Sequence, residues 1–179
     1  IIPPRGWDKP TGGGYWTEHL PELDLVKQRN KTFKKELESY HMPEVYDAVN
    51  RMQATPFRIN IGVLEVMTEA YDKELPVAGL PTQSNAPIPN KPHDIDTNEK
   101  SRKQWKKEAV IVHTENARLF SKRLLYNKIL WEAGFFKEYE TIYFPLQLDF
   151  RGRAYCVPAF LNYQGIGGAK ALLEFSNGK

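Results

Sequence analysis

The feature that most constrains this fold is a long helical pattern that lies between Thr97 and Gly134. No proline or glycine interrupts the residues between these two positions. Thr97 or Asn98 can serve as the N-cap, and Glu99 places a carboxylate in the first turn, where the helix dipole favours it. The pattern therefore predicts a helix that begins at this cap and reaches Lys128 or beyond, with at most one break before Gly134.

This predicted helix has two chemically different faces. At about 100° per residue, its basic and apolar side chains fall on opposite sides of the helix axis. The basic side is formed by Lys100, Lys103, Lys107, Arg118 and Lys122. The apolar side is formed by Trp105, Ala109, Val112, Leu119 and Phe120. We therefore expect the helix to pack by its apolar face and to present its basic face to phosphates.

The charge of the chain is concentrated on the same stretch. The whole sequence carries 25 Lys or Arg and 22 Asp or Glu, a formal net charge of +3. Residues 100 to 128 hold nine basic and two acidic side chains, which leaves 16 basic and 20 acidic elsewhere. A basic block on a mildly acidic background is typical of an element that faces nucleic acid. A helix face that is merely solvated is the alternative.

The remaining chain predicts further helices joined by loops. Residues 1–24 are rich in proline and glycine and predict a loop, and residues 25–40 predict a short charged helix. Two helical stretches follow from Pro43 onwards, with a break at Thr55-Pro56. The proline-rich segment 76–92 predicts a long loop that bridges two elements or contacts a partner.

The last part of the chain changes to strand-like sequence. The run "TIYFPLQLDF" (141–150) is rich in aromatic and β-branched residues, and "AYCVPAFL" (154–161) has the same character. A turn at Gly152 separates the two runs, and "AKALLEF" (169–175) predicts a short helix. The sequence as a whole therefore predicts a mainly α fold with a small β portion, of the α+β class.

The turn between the two strand-like runs is the strongest candidate site. Asp149, Arg151, Gly152 and Arg153 follow directly on the apolar run. Glycine permits a positive φ and close approach of another backbone, and arginine offers a planar fork of donors that matches phosphate. Asp149 could brace either guanidinium before a ligand arrives. The alternative is an ordinary hairpin turn that holds a local salt bridge.

Other classes of site have little support in the sequence. A single cysteine, Cys156, excludes a disulfide framework and a multi-cysteine zinc site. No apolar run approaches the roughly 18 residues that a membrane-spanning helix needs, so no membrane partner is predicted. The glycines at 12–14 and 165–168 lack the context of a phosphate-binding loop. His93 and Asp94 have no further ligand at suitable spacing except Asp96, and we predict no metal site and no catalytic residue.

Several stretches, in this order, resemble a known family. They are "TGGGYW" (11–16), "MPEVYDAVNRMQ" (42–53), "FRIN" (57–60), "VLEV" (63–66), "KPHDID" (91–96), "WKKEA" (105–109), "YFPLQLDFRGRAY" (143–155) and "ALLEFSNGK" (171–179). Together they resemble the single-subunit, bacteriophage-type DNA-directed RNA polymerases, whose relatives also transcribe mitochondrial DNA. Each stretch alone is weak, but the ordered set is specific and covers nearly the whole chain.

The resemblance implies a domain organisation. Residues 1–53 correspond to the end of an N-terminal domain, and residues 54–140 to a helical thumb that wraps the RNA–DNA hybrid. Residues 141–179 correspond to the start of the palm, which carries the family's Asp-x-x-Gly-Arg motif. The chain begins without methionine and stops after a turn-like sequence, so we expect an internal fragment of a longer polymerase; a processed product is the alternative.

The resemblance also implies which residues bind nucleic acid. Arg151 and Arg153 would contact the backbone of the template or hybrid, Gly152 would allow close approach, and Asp149 would orient the arginines. The thumb-like helix would add the basic side chains identified from the charge pattern. Those that we expect to bind nucleic acid are Lys103, Lys107, Arg118 and Lys122.

The implied enzyme is a nucleotidyltransferase that uses a DNA template and NTP substrates. In this family, two palm aspartates hold two Mg²⁺ ions that stabilise the attacking and leaving oxygens. These aspartates, and a fingers helix with a Lys and a Tyr, come after the stretch that this chain covers. We therefore expect the Mg²⁺ ligands to lie outside this chain and this segment alone to be inactive.

Two other interpretations stay open on the residues alone. One is a non-enzymatic nucleic-acid-binding helical module, and the other is a scaffold domain whose charges only solvate it. For the polymerase, the resemblance implies the cytoplasm of a phage-infected host, or a mitochondrion if the parent enzyme is organellar.

Overall fold

The computed structural model describes residues 1–17, 19, 22–75, 77 and 79–178. The helices are α1 (Lys31–Glu38), α2 (Pro43–Gln53), α3 (Ile61–Asp72), α4 (Glu99–Phe136) and α5 (Gly167–Ala171). The strands are β1 (Thr11–Gly13), β2 (Leu23–Asp24), β3 (Phe57–Ile59), β4 (Leu146–Leu148), β5 (Ala154–Cys156) and β6 (Leu173–Phe175). The strands form three antiparallel pairs, β1–β2, β3–β6 and β4–β5. The predicted α+β class is confirmed.

The chain divides into two compact units. The first unit comprises residues 1–64 and 131–179, and the second comprises residues 65–130. All three strand pairs belong to the first unit. The second unit contains most of α3 and of α4, together with the loop between them.

The core of the first unit fixes the position of β4. Its buried side chains come from the N-terminal loop, β2 and its extension, α2 and β4. They are Trp7, Leu25, Tyr46, Val49, Leu146 and Leu148. Because Leu146 and Leu148 are both in this core, the strand that leads into the arginine-containing turn has a fixed register and face.

Two amide side chains on α2 hold the N-terminal loop against this core. Asn50 accepts the Trp7 backbone N–H at 2.7 Å and donates to the Trp7 carbonyl at 2.8 Å. Gln53, which is buried, donates to the Arg5 carbonyl at 3.1 Å. These bonds give backbone groups of the loop hydrogen-bond partners. A backbone group that was buried without a partner would cost about 1–3 kcal/mol.

In the second unit, the proline-rich loop lies along α4 and is fastened to it by side chains. Asn116 accepts the Ala86 N–H at 2.8 Å and donates to the Ala86 carbonyl at 2.9 Å. The Trp105 indole donates to the Pro89 carbonyl at 2.8 Å, and Arg123 donates to the Gln83 carbonyl at 2.9 Å. The loop predicted at 76–92 is therefore an ordered strap in its described part, whereas Pro76 and Ala78 lie outside the described residues.

The long helix is confirmed, but one of its predicted packing residues is wrong. Helix α4 is continuous, and Asn98 caps it by accepting from the Lys100 and Ser101 N–H groups at 3.0 and 3.3 Å. Ala109 is buried, but Phe120 is 57% exposed. Asn116 and Arg123 bind the proline-rich loop through hydrogen bonds, whereas the ring of Phe120 faces solvent.

The structure also corrects other element predictions. The helix predicted at 25–40 starts only at Lys31, where the Asn30 side chain accepts the first N–H groups. The strands predicted at 141–150 and 154–161 shrink to three residues each.

The predicted helix at 169–175 is also wrong in its second half. Helix α5 ends at Ala171, and Leu173–Phe175 is a strand that pairs with β3, Phe57 opposite Phe175. The aromatic contact between Phe57 and Phe175, 5.0 Å between ring centroids, accompanies this pairing. Such long-range pairing overrides a local helical pattern.

Candidate nucleic-acid interface

The candidate site is the turn between β4 and β5, residues 149–153, which we call the arginine turn. The flanking strands pair with Leu146 opposite Cys156 and Leu148 opposite Ala154. Leu146 is wholly buried, so the hairpin is anchored at its base while its tip reaches solvent. This arrangement places Arg151 and Arg153 at the exposed end of a fixed hairpin.

Backbone hydrogen bonds close the arginine turn. The Asp149 N–H donates to the Arg153 carbonyl at 2.9 Å, and the Gly152 N–H donates to the Asp149 carbonyl at 2.9 Å. Gly152 has a φ of +79°, a conformation that side-chain-bearing residues rarely adopt. No atom lies within 4 Å of the position that a Cβ would take at Gly152, so the glycine serves the backbone conformation and leaves the surface beside it open.

The Asp149 carboxylate organises the rest of the turn. Its Oδ1 accepts the backbone N–H groups of Arg151 and Arg153 at 2.9 and 3.0 Å. Its Oδ2 accepts from Arg153 Nε at 2.8 Å and lies 2.6 Å from Nη2. Asp149 thus fixes the direction of the Arg153 guanidinium, whereas it holds Arg151 only through its backbone.

These contacts also set the protonation of Asp149. Partial desolvation raises the pKa of this carboxyl, but hydrogen bonds from the backbone and side chain of Arg153 and from the Arg151 backbone outweigh it. The net effect is a pKa of Asp149 below its ordinary value. The brace is therefore ionised at neutral pH.

Each arginine of the turn also lies over an aromatic ring. The Arg151 guanidinium carbon is 5.1 Å from the centroid of Phe150, and that of Arg153 is 5.8 Å from the centroid of Tyr155. Phe150 is 69% exposed and Tyr155 46% exposed. Neither ring was among the predicted site residues, although each lies within two positions of an arginine in the sequence.

The predicted basic residues of α4 lie in the second unit, and the ion partners of Lys103 and Arg118 are carboxylates of the same helix. Lys103 pairs with Glu99 at 2.7 Å, and Arg118 makes two bonds to Glu115 at 2.7 and 2.9 Å. Lys107 is exposed and Lys122 is half-buried. The residues of the arginine turn therefore form one local cluster, whereas the basic residues of α4 are spread along the helix.

The described residues offer no metal centre and no membrane anchor. Among them, no group of three or more His, Cys, Asp or Glu side chains is placed to hold a metal ion. No helix in the described part of the chain is long and apolar enough to cross a membrane.

The chain is similar over its whole length to DNA-directed RNA polymerases. It is 41% identical to the DNA-directed RNA polymerase of Enterobacteria phage T3 and 37% identical to T7 RNA polymerase of Escherichia phage T7. Similarity extends, at 30% identity, to DNA-directed RNA polymerase 2, chloroplastic/mitochondrial, of Arabidopsis thaliana. Each alignment covers 100% of this chain.

The same alignments cover only a small part of these relatives. The chain spans 20% of the length of the two phage polymerases and 18% of that of the plant enzyme. No protein-family model matches the chain.

Proposed function

We propose that this chain, a homologue along its whole length of the single-subunit, phage-type DNA-directed RNA polymerases, is the part of such an enzyme that grips the template and the RNA–DNA hybrid. The observation that carries this proposal is the unbroken similarity to phage and organellar polymerases, 30–41% identical over the full chain. It supports template-directed transcription from NTPs as the activity of the intact protein.

The geometry of the arginine turn supports a role in holding phosphates. Arg153 is aimed by Asp149, and a guanidinium fixed in advance loses less conformational entropy when it binds. The open surface beside Gly152 leaves room for a nucleic-acid backbone to approach. The row of cations on α4 adds a longer-range attraction that weakens as salt rises.

We further propose that residues 54–140 act as the thumb and that the palm begins near residue 141. The continuous 38-residue helix α4, with its basic side, is a suitable lever for wrapping a hybrid. In the infected host's cytoplasm, or in an organelle, the segment would act as part of the whole polymerase.

The chemistry of nucleotidyl transfer is not assigned to these residues. Mg²⁺ prefers oxygen ligands that converge on one point, and the described residues offer no such group. We propose, as the family resemblance implies, that the metal-binding aspartates of the polymerase lie outside this chain. The segment contributes binding and alignment.

The test of the proposal uses the intact protein and a synthetic RNA primer on a DNA template. We expect template-dependent extension with NTPs and, in parallel, hybrid binding whose log affinity falls steeply with log salt. Arg153→Ala should weaken hybrid retention by about tenfold, and Arg153→Lys should restore only part of it, because lysine lacks the planar fork. The control is Lys106→Ala, which removes an exposed cation outside the predicted basic side of α4.

The outcomes separate the three interpretations. Binding without extension would favour a non-enzymatic nucleic-acid-binding module, and a flat salt dependence would favour a scaffold. Template-dependent synthesis by the isolated 179-residue segment would contradict our assignment of its role.

A further inference from the structure

A cleft of about 460 Å³ adjoins the arginine turn, and of its lining residues only Asp149 has a part in the proposal above. It is lined by Lys27, Gln147, Tyr155 and Cys156, with Asp149 also on its wall. A volume of this size is within the range of sites that take a small organic ligand. All of its lining residues belong to the first unit.

Lys27 reaches this cleft from a distant part of the sequence because its backbone is bound to β4. The Lys27 N–H donates to the Leu148 carbonyl at 2.8 Å, and the Leu148 N–H donates to the Leu25 carbonyl at 2.6 Å. Leu25 is wholly buried in the core, so this short parallel bridge is anchored. The side chain of Lys27 is exposed.

The charge balance leaves Lys27 available for an anion. Asp149 is engaged by Arg153, and Asp24, next to Leu25, forms an ion pair with Lys34. Among the described residues, no carboxylate forms an ion pair with Lys27. A cation without such a partner beside the arginine turn favours binding of a phosphate.

Tyr155 gives the cleft a second kind of contact. Its ring is 46% exposed and shares the cleft wall with Lys27. Aromatic side chains in grooves with positive charge bind single-stranded nucleic acid by stacking with unpaired bases. A base within a duplex is stacked on its neighbours and cannot offer its face in this way.

We propose that this cleft binds one nucleotide of a single-stranded nucleic acid, with Lys27 on its phosphate and Tyr155 against its base. This inference rests on the proposed grip of the arginine turn on nucleic acid and extends it from the paired hybrid to an unpaired nucleotide beside it. The shared chemistry is a phosphodiester next to an unpaired base, which either DNA or RNA can supply.

The first experiment measures binding of the intact protein to single strands of about ten nucleotides, a length that such grooves accommodate. Oligodeoxythymidylate and oligouridylate are used in parallel, so that a difference between them identifies the source of the strand. We expect Lys27→Ala to weaken binding about fivefold and to make the salt slope shallower by about 0.7, the loss of one single-strand phosphate contact. Lys170→Ala, which removes an exposed lysine on α5, is the matched control.

The second variant pair tests the aromatic contact. Tyr155→Phe keeps the ring and should bind like the parent protein, whereas Tyr155→Ala should lose about tenfold through lost stacking. The Tyr155→Ala effect should not change with salt, because it removes no charge. The lysine contact therefore changes the salt slope, whereas the aromatic contact changes only the affinity. Misfolding would change both the affinity and the salt slope.

Cys156 provides a readout at the cleft itself. Burial raises the pKa of this thiol, so its alkylation is slow. A ligand that covers the thiol should slow alkylation further. We expect a saturating oligonucleotide to slow alkylation of the Cys156 peptide severalfold, as followed by mass spectrometry. At the same oligonucleotide concentration, Lys27→Ala should show less protection.

The outcomes distinguish this inference from the proposed function. If the parent protein binds neither hybrid nor single strands, the proposed function fails. If hybrid binding depends on Arg153 while Lys27→Ala equals Lys170→Ala and Cys156 is not protected, the cleft inference alone is overturned.

Discussion

The arginine turn and α4 carry cations in two contrasting ways. In the turn, Arg153 is fixed by two bonds to Asp149, and the backbone around it is closed by further hydrogen bonds. On α4, the partners of Lys103 and Arg118 are carboxylates of the same helix, one turn away and exposed to solvent. Exposed pairs of this kind contribute little and are screened by salt.

This difference separates geometric recognition from general attraction. A guanidinium whose direction is fixed can select a phosphate at one position, whereas a row of cations along a helix only raises the local concentration of polyanions. We therefore expect substitutions in the turn to change affinity strongly and substitutions on α4 to change mainly its salt dependence.

The largest expected effect comes from the brace itself. Asp149→Asn keeps an oxygen that can accept the Arg151 and Arg153 N–H groups but removes the charge that directs the Arg153 guanidinium. We expect hybrid affinity to fall about tenfold, since charge-assisted hydrogen bonds are about twice as strong as neutral ones. Fluorescence anisotropy with a labelled RNA–DNA hybrid measures the change.

A double-mutant cycle is the control for this prediction. In the Arg153→Ala background, Asp149→Asn should have little further effect, because its partner is already gone. Additive effects would show that Asp149 does not act through Arg153.

The contact between Asp149 and Arg153 should also make the stability of the protein depend on pH in acid. The pKa of Asp149 is lower in the folded protein than its unfolded value of 3.8. The ionised carboxylate therefore stabilises the fold fully above pH 3.8, and this stabilisation is lost as the pH falls through the folded pKa. The difference in unfolding free energy between the parent protein and Asp149→Asn should therefore narrow below about pH 4. A constant difference down to pH 2 would contradict the assignment.

An intermediate effect is expected where α4 holds the proline-rich loop. Asn116→Ala removes both bonds to Ala86 and should lower the unfolding free energy of the second unit by about 1–2 kcal/mol. Hydrogen exchange should speed up at residues 83–91. Asn127→Ala, an exposed asparagine on the same helix, should leave exchange in this loop unchanged.

The smallest expected effect concerns a single lysine on the basic side of α4. Lys107→Ala should weaken hybrid binding by only about two- to threefold and reduce the salt slope by about one. The control is the neighbouring Lys106→Ala, which also removes an exposed lysine but from a different side of the helix. Equal slopes for the two variants would mean that α4 attracts nucleic acid without a preferred face.

Local sequence was sufficient for the features that depend on local physics. The N-cap at Asn98, the continuous α4 and the turn at Gly152 all follow from residue types at short spacing. The predicted brace between Asp149 and an arginine needed only the five residues of the turn. The choice of Arg153 over Arg151 did not follow, because it depends on the closed geometry of the turn.

Predictions that depended on distant contacts were less successful. Leu173–Phe175 has a helical pattern but pairs with β3, more than a hundred residues earlier. Phe120 was expected to pack, but Asn116 and Arg123 bind the loop instead. Polar side chains that bind backbone groups are hard to recognise in a sequence, since the same residues are equally suited to solvent.

By itself, the sequence determined the family resemblance, the α+β class, the long basic helix and the arginine turn, because each is encoded in residue type and spacing. Only the tertiary structure decided that Lys27 lines the same cleft as Tyr155, since this depends on the backbone bonds that join Leu25 and Lys27 to Leu148. Such a bridge forms only when the buried core brings two distant segments within hydrogen-bond distance. The positive charge that Lys27 brings to the cleft therefore cannot be predicted from local patterns.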